Sequence, residues 1–352
     1  MQKDSLEFLK ALVDAPSPSG FEQPAQELYE KRVRQYADEV RKDVHGNVIA
    51  VRNADSECRV MLAGHCDEIG LMVKHINDQG FLYVAAIGGI DTNLLPGMRV
   101  SVHTARGPIL GVIGRTPIHL LEKEDLTKAP KLHELWVDIG AKDRKDAEKV
   151  VSPGDPITFN MPLRELRNGL VTAHGFDDKA GVFVVAETLR LLAGKKLRVA
   201  VYGVSTVQEE LGLRGATTSA FGINPHVGIA VDVEFAADSP GDDKRRIGEV
   251  SLGKGPVLNR GANTNPVLGK MLIDTARRAR IPYQVAGYPR ATGTDANVIQ
   301  ITRCGVATAL VGIPNRYMHT AVETVSLDDM ENAARLLAVF ISKLDPKTDF
   351  TP

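Results

Sequence analysis

The sequence predicts an α/β protein, a mixed sheet between layers of helices, interrupted by a small β-barrel. Three observations carry that prediction. Apolar, β-branched runs alternate with amphipathic helical patterns toward both ends of the chain. A middle stretch, about 70–160, replaces helices with short β runs set off by glycines. Polar residues with catalytic potential gather where the apolar strands end, the side of an open α/β sheet at which ligands collect.

Taken in order, residues 5–13 carry apolar side chains at helical spacing and stop at Pro16 and Pro18. A longer amphipathic helix is expected over 23–40. Residues 44–52, with the turn His45-Gly46-Asn47, read as a hairpin or strand entry, and 59–65 as a buried strand. Beyond Asp67 the clearest of the short β runs are 81–87, 98–103, 109–113, 135–139 and 156–159, with one short helical segment at 142–150. The α/β pattern returns at Val171. Helices are expected at 178–192, 265–279, 295–302 and 326–343, and strands at 196–207, 226–233, 283–287 and 306–312. Ser326 and Asp329 read as a capping box for the last helix, with Asp in Glu's usual place. Residues 238–246 form a charged loop expected to be mobile. The expected domains are 1–67 joined to 167–352, and an insertion of 68–166.

A chain of 352 residues, 43% hydrophobic and 25% charged, can bury a large core and still carry an inserted module. Its 43 basic and 44 acidic side chains leave a net charge of -1, which gives no electrostatic footprint for nucleic acid. No apolar run is long enough to span a bilayer, and Met1-Gln-Lys-Asp lacks a signal core. Cys58, Cys66 and Cys304 are odd in number and widely spaced, which favours a reducing cytoplasm over a disulfide framework.

The chemistry lies in the residues that end strands. Glu209 and Glu210 follow the run 199–207, and two adjacent acids with no cation between them raise each other's pKa. A bound metal resolves the repulsion; so does a division in which one acid binds metal and the other moves protons. His65 and Asp67 share a strand face. They read either as a metal ligand with a supporting carboxylate or as a core histidine satisfied by its neighbour. Asp177 and Asp178 precede a helix, where one can cap and the other reach a metal. Asp232 is a lone acid at the end of an apolar strand, and buried acids are rare unless paired or metal-bound. His319 follows the strand at 306–312. Two divalent ions bridged by one carboxylate would use this set, with a carboxylate outside the ligand shell as proton shuttle.

Six segments occur in a telling order: Ala63-Gly-His65-Cys-Asp67-Glu-Ile-Gly70, Asp177-Asp-Lys-Ala-Gly181, Gln208-Glu-Glu-Leu-Gly-Leu-Arg-Gly215, Val231-Asp-Val233, Gly293-Thr-Asp-Ala296 and Arg316-Tyr-Met-His319. Together they resemble the dinuclear metallo-aminopeptidases that assemble as tetrahedral dodecamers, the TET aminopeptidases, over nearly the whole chain. The resemblance implies an α/β/α metallopeptidase domain with a PDZ-like dimerisation insert, dimers building a dodecamer, and peptide substrates. It implies that Asp177 bridges two metals, that His65 and Asp232 complete one, and that Glu210 and His319 complete the other. Glu209 is then the general base, Asp67 orients His65, and the Asp177–Asp178 peptide is cis. Zinc is the expected metal, with cobalt or manganese also compatible with such donors. His174 is expected in a supporting or structural role, while Thr294 and Asp295 are open between substrate contact and N-capping. The expected activity is removal of N-terminal residues from peptides. The rival readings are a metal-dependent amidohydrolase or deacylase, a glucanase, and a non-catalytic protein that keeps metal for stability.

Overall fold

A computed structural model describes residues 1–123 and 127–352. The chain opens with α1 (Lys3–Asp14), α2 (Gln23–Val33), β1 (Glu39–Lys42), β2 (Val48–Arg52) and β3 (Arg59–His65). The next segment holds β4 (Gly70–Ile76), β5 (Leu82–Ile87), β6 (Arg99–Thr104), β7 (Gly107–Gly114), β8 (Trp136–Asp138), α3 (Arg144–Glu148) and β9 (Pro156–Phe159). Then follow β10 (Arg164–Glu165), β11 (Leu170–Ala173), α4 (Phe176–Leu192), β12 (Ala200–Thr206), α5 (Arg214–Ile223), β13 (Val227–Phe235), α6 (Lys244–Ile247) and β14 (Val257–Gly261). The chain closes with α7 (Pro266–Ala279), β15 (Gln284–Tyr288), α8 (Ala296–Gln300), β16 (Ala307–Arg316), β17 (Glu323–Ser326) and α9 (Leu327–Lys343).

The large sheet has 11 strands in the order β1-β2-β12-β3-β13-β16-β17-β11-β10, with β14 pairing β16 and β15. Its centre, β12, β3, β13 and β16, is parallel, so these strands present their carboxyl ends on one edge. Such strands are covered on both faces, which is why they read as apolar runs rather than alternations. Helix α4 packs across the middle, with Phe183, Val184 and Leu189 fully buried. β4–β9 close into an antiparallel barrel in the order β4-β5-β8-β7-β6-β9, around its own core of Leu71, Leu82, Val100, Val137 and Ile157.

Several expectations are corrected. The helix expected over 23–40 ends at Val33, and β1 forms a hairpin with β2 instead. Apolar Tyr36, Ala37 and Val40 continue a helical spacing, but pairing of Val40 with Ala50 overrides it. β4, at the start of the expected β stretch, is not among its clearest runs; a register shift between Val73 and His75 breaks its alternation. β16 runs on to Arg316, past the expected end at 312. The capping box does not form. Ser326 makes no side-chain cap, and Asp329 instead accepts the N–H groups of Gly253 and Gly255, each at 2.7 Å. The charged loop 238–246 is tethered: Asp238 takes a two-pronged contact from Arg316, at 2.6 and 2.8 Å. Among the described residues no helix is long and apolar enough to cross a membrane.

A buried ion pair sits where the chain passes into the barrel. Glu68 accepts from Lys179 Nζ at 2.6 Å and from the Ser17 N–H at 2.8 Å, and His174 Nε2 lies 3.1 Å away. Lys179 also donates to the carbonyls of Val13 and Ala15. Burial pushes the Glu68 carboxyl up, but His174 and Lys179 beside it outweigh burial and hold it at about 2, below its usual 4.5. A carboxyl depressed on folding contributes stability that is present above pH 4.5 and lost as pH falls through about 2. Lys179→Met therefore removes one of the buried carboxylate's charged partners and leaves it His174 and the Ser17 N–H. It should lower unfolding free energy by about 3–5 kcal/mol at pH 7 in denaturant titration, and its deficit relative to wild type should shrink as pH falls below 4.5.

Candidate metal centre

The site is assembled on the carboxyl edge of the parallel strands. β3 ends at His65, directly opposite Thr206 at the end of β12. Beyond Thr206 the chain turns through Gln208, which has φ 55°, and sets Glu209 and Glu210 over the edge. β13 supplies Asp232, and the start of α4 supplies Asp177, joined to Asp178 by a cis peptide. β16 leads into Tyr317 and His319, with φ of 62° and 60°. α4 lies unusually close to β3: a Cβ on Gly64 would sit 2.6 Å from the Gly181 backbone, so only glycine allows this approach.

His65, Asp177, Glu209, Glu210, Asp232 and His319 line one cavity of about 200 Å³, together with Thr294. Asp177 stands between the histidines. Its Oδ1 is 3.1 Å from His65 Nε2, and its Oδ2 is 3.4 Å from His319 Nε2. His65 Nε2 also lies 3.9 Å from both Glu209 and Asp232, and His319 Nε2 lies 3.5 Å from Glu210. The side-chain atoms that could hold a cation fall into two sets, His65–Glu209–Asp232 and Asp177–Glu210–His319, each within 4.8 Å of one another. Imidazole nitrogens and carboxylate oxygens at such spacings suit cations bound at about 2.0–2.2 Å.

The electrostatics show a deficit of positive charge. Burial, with the charges of Asp232, Asp295 and Asp177 added, pushes Glu209 up to about 10 despite His65 nearby. Burial and then Asp177 push Glu210 to about 7. The hydrogen bond to Asp177, with Glu210's charge, raises His319 to about 9. Burial opposes ionisation of Asp177, yet the two histidines hold it below the usual carboxylate range. Divalent cations are what such a cluster of buried acids lacks.

Other residues stand behind the cavity. The ring of His65 is held through Nδ1 by the carbonyl oxygen of Asp67 at 3.0 Å, with the Asp67 carboxylate 3.5 Å away. That carboxylate accepts the N–H groups of Glu209 and Glu210 and the Ser19 hydroxyl, at 2.9, 3.1 and 2.7 Å. Asp178 accepts from the His65 N–H at 3.1 Å and the Gly181 N–H at 2.9 Å, so it caps α4 and ties it to β3. Asp295 makes no cap on α8; it accepts from Thr206 Oγ1 at 2.6 Å. Thr294 Oγ1 pairs with Thr292 Oγ1 at 2.9 Å. His174 is away from the cavity, beside Glu68.

Two supporting groups escaped the sequence reading. Glu323, 2% exposed, accepts the N–H of Asp177 and the N–H of His319, each at 2.9 Å. A lone acid among apolar neighbours in 321–325 was the available signal, the one that drew attention to Asp232. The Gly89 carbonyl, just past β5 of the barrel, contacts His319 Nδ1 at 2.9 Å; a backbone carbonyl leaves no signal in sequence.

The sequence pattern of the M42 glutamyl aminopeptidases matches residues 46–336. A lysyl aminopeptidase of Pyrococcus furiosus is 39% identical over 349 residues, covering 98% of this chain and 99% of that protein. The TET aminopeptidase of Thaumarchaeota archaeon SCGC AB-539-E09 superposes with a TM-score of 0.93 at 36% identity, covering 98% of both chains. The Pyrococcus horikoshii TET1 peptidase, described as assembling into a tetrahedron or a large octahedral shell, has a TM-score of 0.85 at 32% identity, covering 97% of this chain and 100% of that one.

Glu323→Gln replaces one of two acceptors with an amide N–H that faces a donor. Partners of this kind typically affect metal affinity by about 10–100-fold. Titration of the metal-free protein with zinc should show a weakening of that order, with the wild-type fold retained by circular dichroism.

Proposed function

This chain belongs to the M42 glutamyl aminopeptidase family, and on that premise we propose how its acidic cavity cleaves the first peptide bond of a substrate. The chain is a metal-dependent aminopeptidase, a hydrolase of peptide bonds. The observation that carries the proposal is Asp177, whose two oxygens each face a different histidine, at 3.1 and 3.4 Å. A carboxylate so placed can bridge two cations. In this reading His65 and Asp232 hold one, and Glu210 and His319 the other. Two divalent ions there supply Lewis acidity to the peptide carbonyl and make a nearby water more acidic.

The chain's own groups do the rest. Glu209 takes the proton from the attacking water and returns it to the leaving amine; it lines the cavity beside His65 and Asp232, and burial raises its proton affinity while bound cations would keep it ionised. Asp67 fixes the tautomer and orientation of His65 through its carbonyl and pins Glu209 and Glu210 by their N–H groups. Zinc is the metal we assign ahead of cobalt or manganese, since two imidazoles with carboxylates are donors zinc takes readily. The likeness to the Pyrococcus horikoshii shell-former covers 97% of this chain, and supports dimers built through the barrel and assembled as a tetrahedral dodecamer. A cytoplasmic setting agrees with three free cysteines. The relatives' names disagree on the preferred side chain, glutamyl for the family and lysyl for the Pyrococcus furiosus protein.

Glu209→Gln should lower kcat on aminoacyl-coumarin substrates by about 10²–10⁴-fold. Elemental analysis should still find two metals per chain. Loss of metal along with activity would make Glu209 a ligand rather than the base. Chelation of the wild-type enzyme should abolish turnover, and zinc should restore it.

A further inference from the structure

Beyond the metal ligands, the cavity has a second end. Asp232 and Glu234 lie two residues apart on β13 and therefore on one face of the strand. Glu234 is 5% exposed and lines the same cavity as the metal-ligand cluster. Its partners are all neutral: Asn259 Nδ2 at 3.2 Å, its neighbour's N–H on Phe235 at 3.2 Å, and the Tyr288 hydroxyl. The Asn259 side-chain oxygen is buried without a partner. A Cβ on Gly312 would lie 2.8 Å from Glu234 Cβ, so glycine on the adjacent strand gives the acid its place. Phe235, Leu310 and Met318 also line the cavity and give it apolar wall.

We propose that this end of the cavity receives the side chain of the substrate's first residue, and that Glu234 selects a long cationic one, lysine or arginine. The inference rests on the aminopeptidase reading above. A buried carboxylate with only neutral partners gains most from a cation brought to it, and an apolar side chain there would exclude water while adding no charge to compensate it. A glutamyl side chain would face like charge. The α-amino group is a poorer match. It is two bonds from the scissile carbon and stays at the metal ligands, whereas two residues of strand carry Glu234 about 6–7 Å beyond Asp232. An extended lysine stem of four methylenes spans about 6 Å at ordinary bond lengths. The apolar wall suits that stem, and Glu234 with Asn259 suits its ammonium.

The test uses the zinc-loaded full chain and two readouts. One is kcat/KM on lysyl-, norleucyl- and glutamyl-coumarin, norleucine being lysine's stem without the charge. The other is calorimetric binding of the non-hydrolysable amino alcohols lysinol and norleucinol. Wild type should favour the lysine member of each pair by at least about tenfold, as sites built around a polar partner do. In Glu234→Gln that ratio should fall toward one, chiefly through KM. Equal or reversed ratios in wild type overturn the proposal, and need no variant to do so. Turnover of norleucyl or glutamyl substrates above lysyl removes the pocket assignment and leaves the aminopeptidase standing. A lysinol preference without any turnover does the opposite.

Discussion

Asp177, Glu209, Glu210 and Asp232 crowd around two histidines at one edge of a sheet, and all four carboxylates are largely buried. Four acids at such separations repel strongly where water cannot screen them. The molecule sorts its buried acids by what compensates them. Asp67, Asp178 and Glu323 accept backbone N–H groups and stay behind the cavity. Glu68 meets a lysine. Asp177, Glu209, Glu210 and Asp232 face the cavity instead, where the charge of a bound cation can compensate them.

The sheet makes that sorting possible. Parallel β12, β3 and β13 bring residues distant in sequence to one edge without long loops. The Gly64–Gly181 approach lets the start of α4 reach the same edge, so that Asp178 binds the His65 backbone and Asp177 reaches both rings. Rigid strands set the distances, and hydrogen bonds from behind set the orientations.

Much of this was legible in the sequence, for a physical reason. An apolar strand that ends in His65, in Asp232, or before Glu209 and Glu210 breaks its own pattern, and the break is visible residue by residue. What stayed hidden depends on partners far along the chain. Val40 follows a helical spacing but pairs with Ala50 in a hairpin. Asp329 suits a capping box locally, yet serves the N–H groups of Gly253 and Gly255. Asp67 was expected to orient His65 by its carboxylate. The nearer contact is its carbonyl, while the carboxylate grips the two glutamates' backbone. Local pattern reports which residue is unusual, and tertiary pairing decides which atom of it is used.

The Gly89 carbonyl comes from the barrel and touches His319 at the edge of the large sheet. An imidazole steered by a neighbouring module ties ring rotation to that module's seating. Any shear between barrel and sheet would be felt as a tilt of the His319 ring, so a movement of one reaches the acidic cavity through a single peptide group.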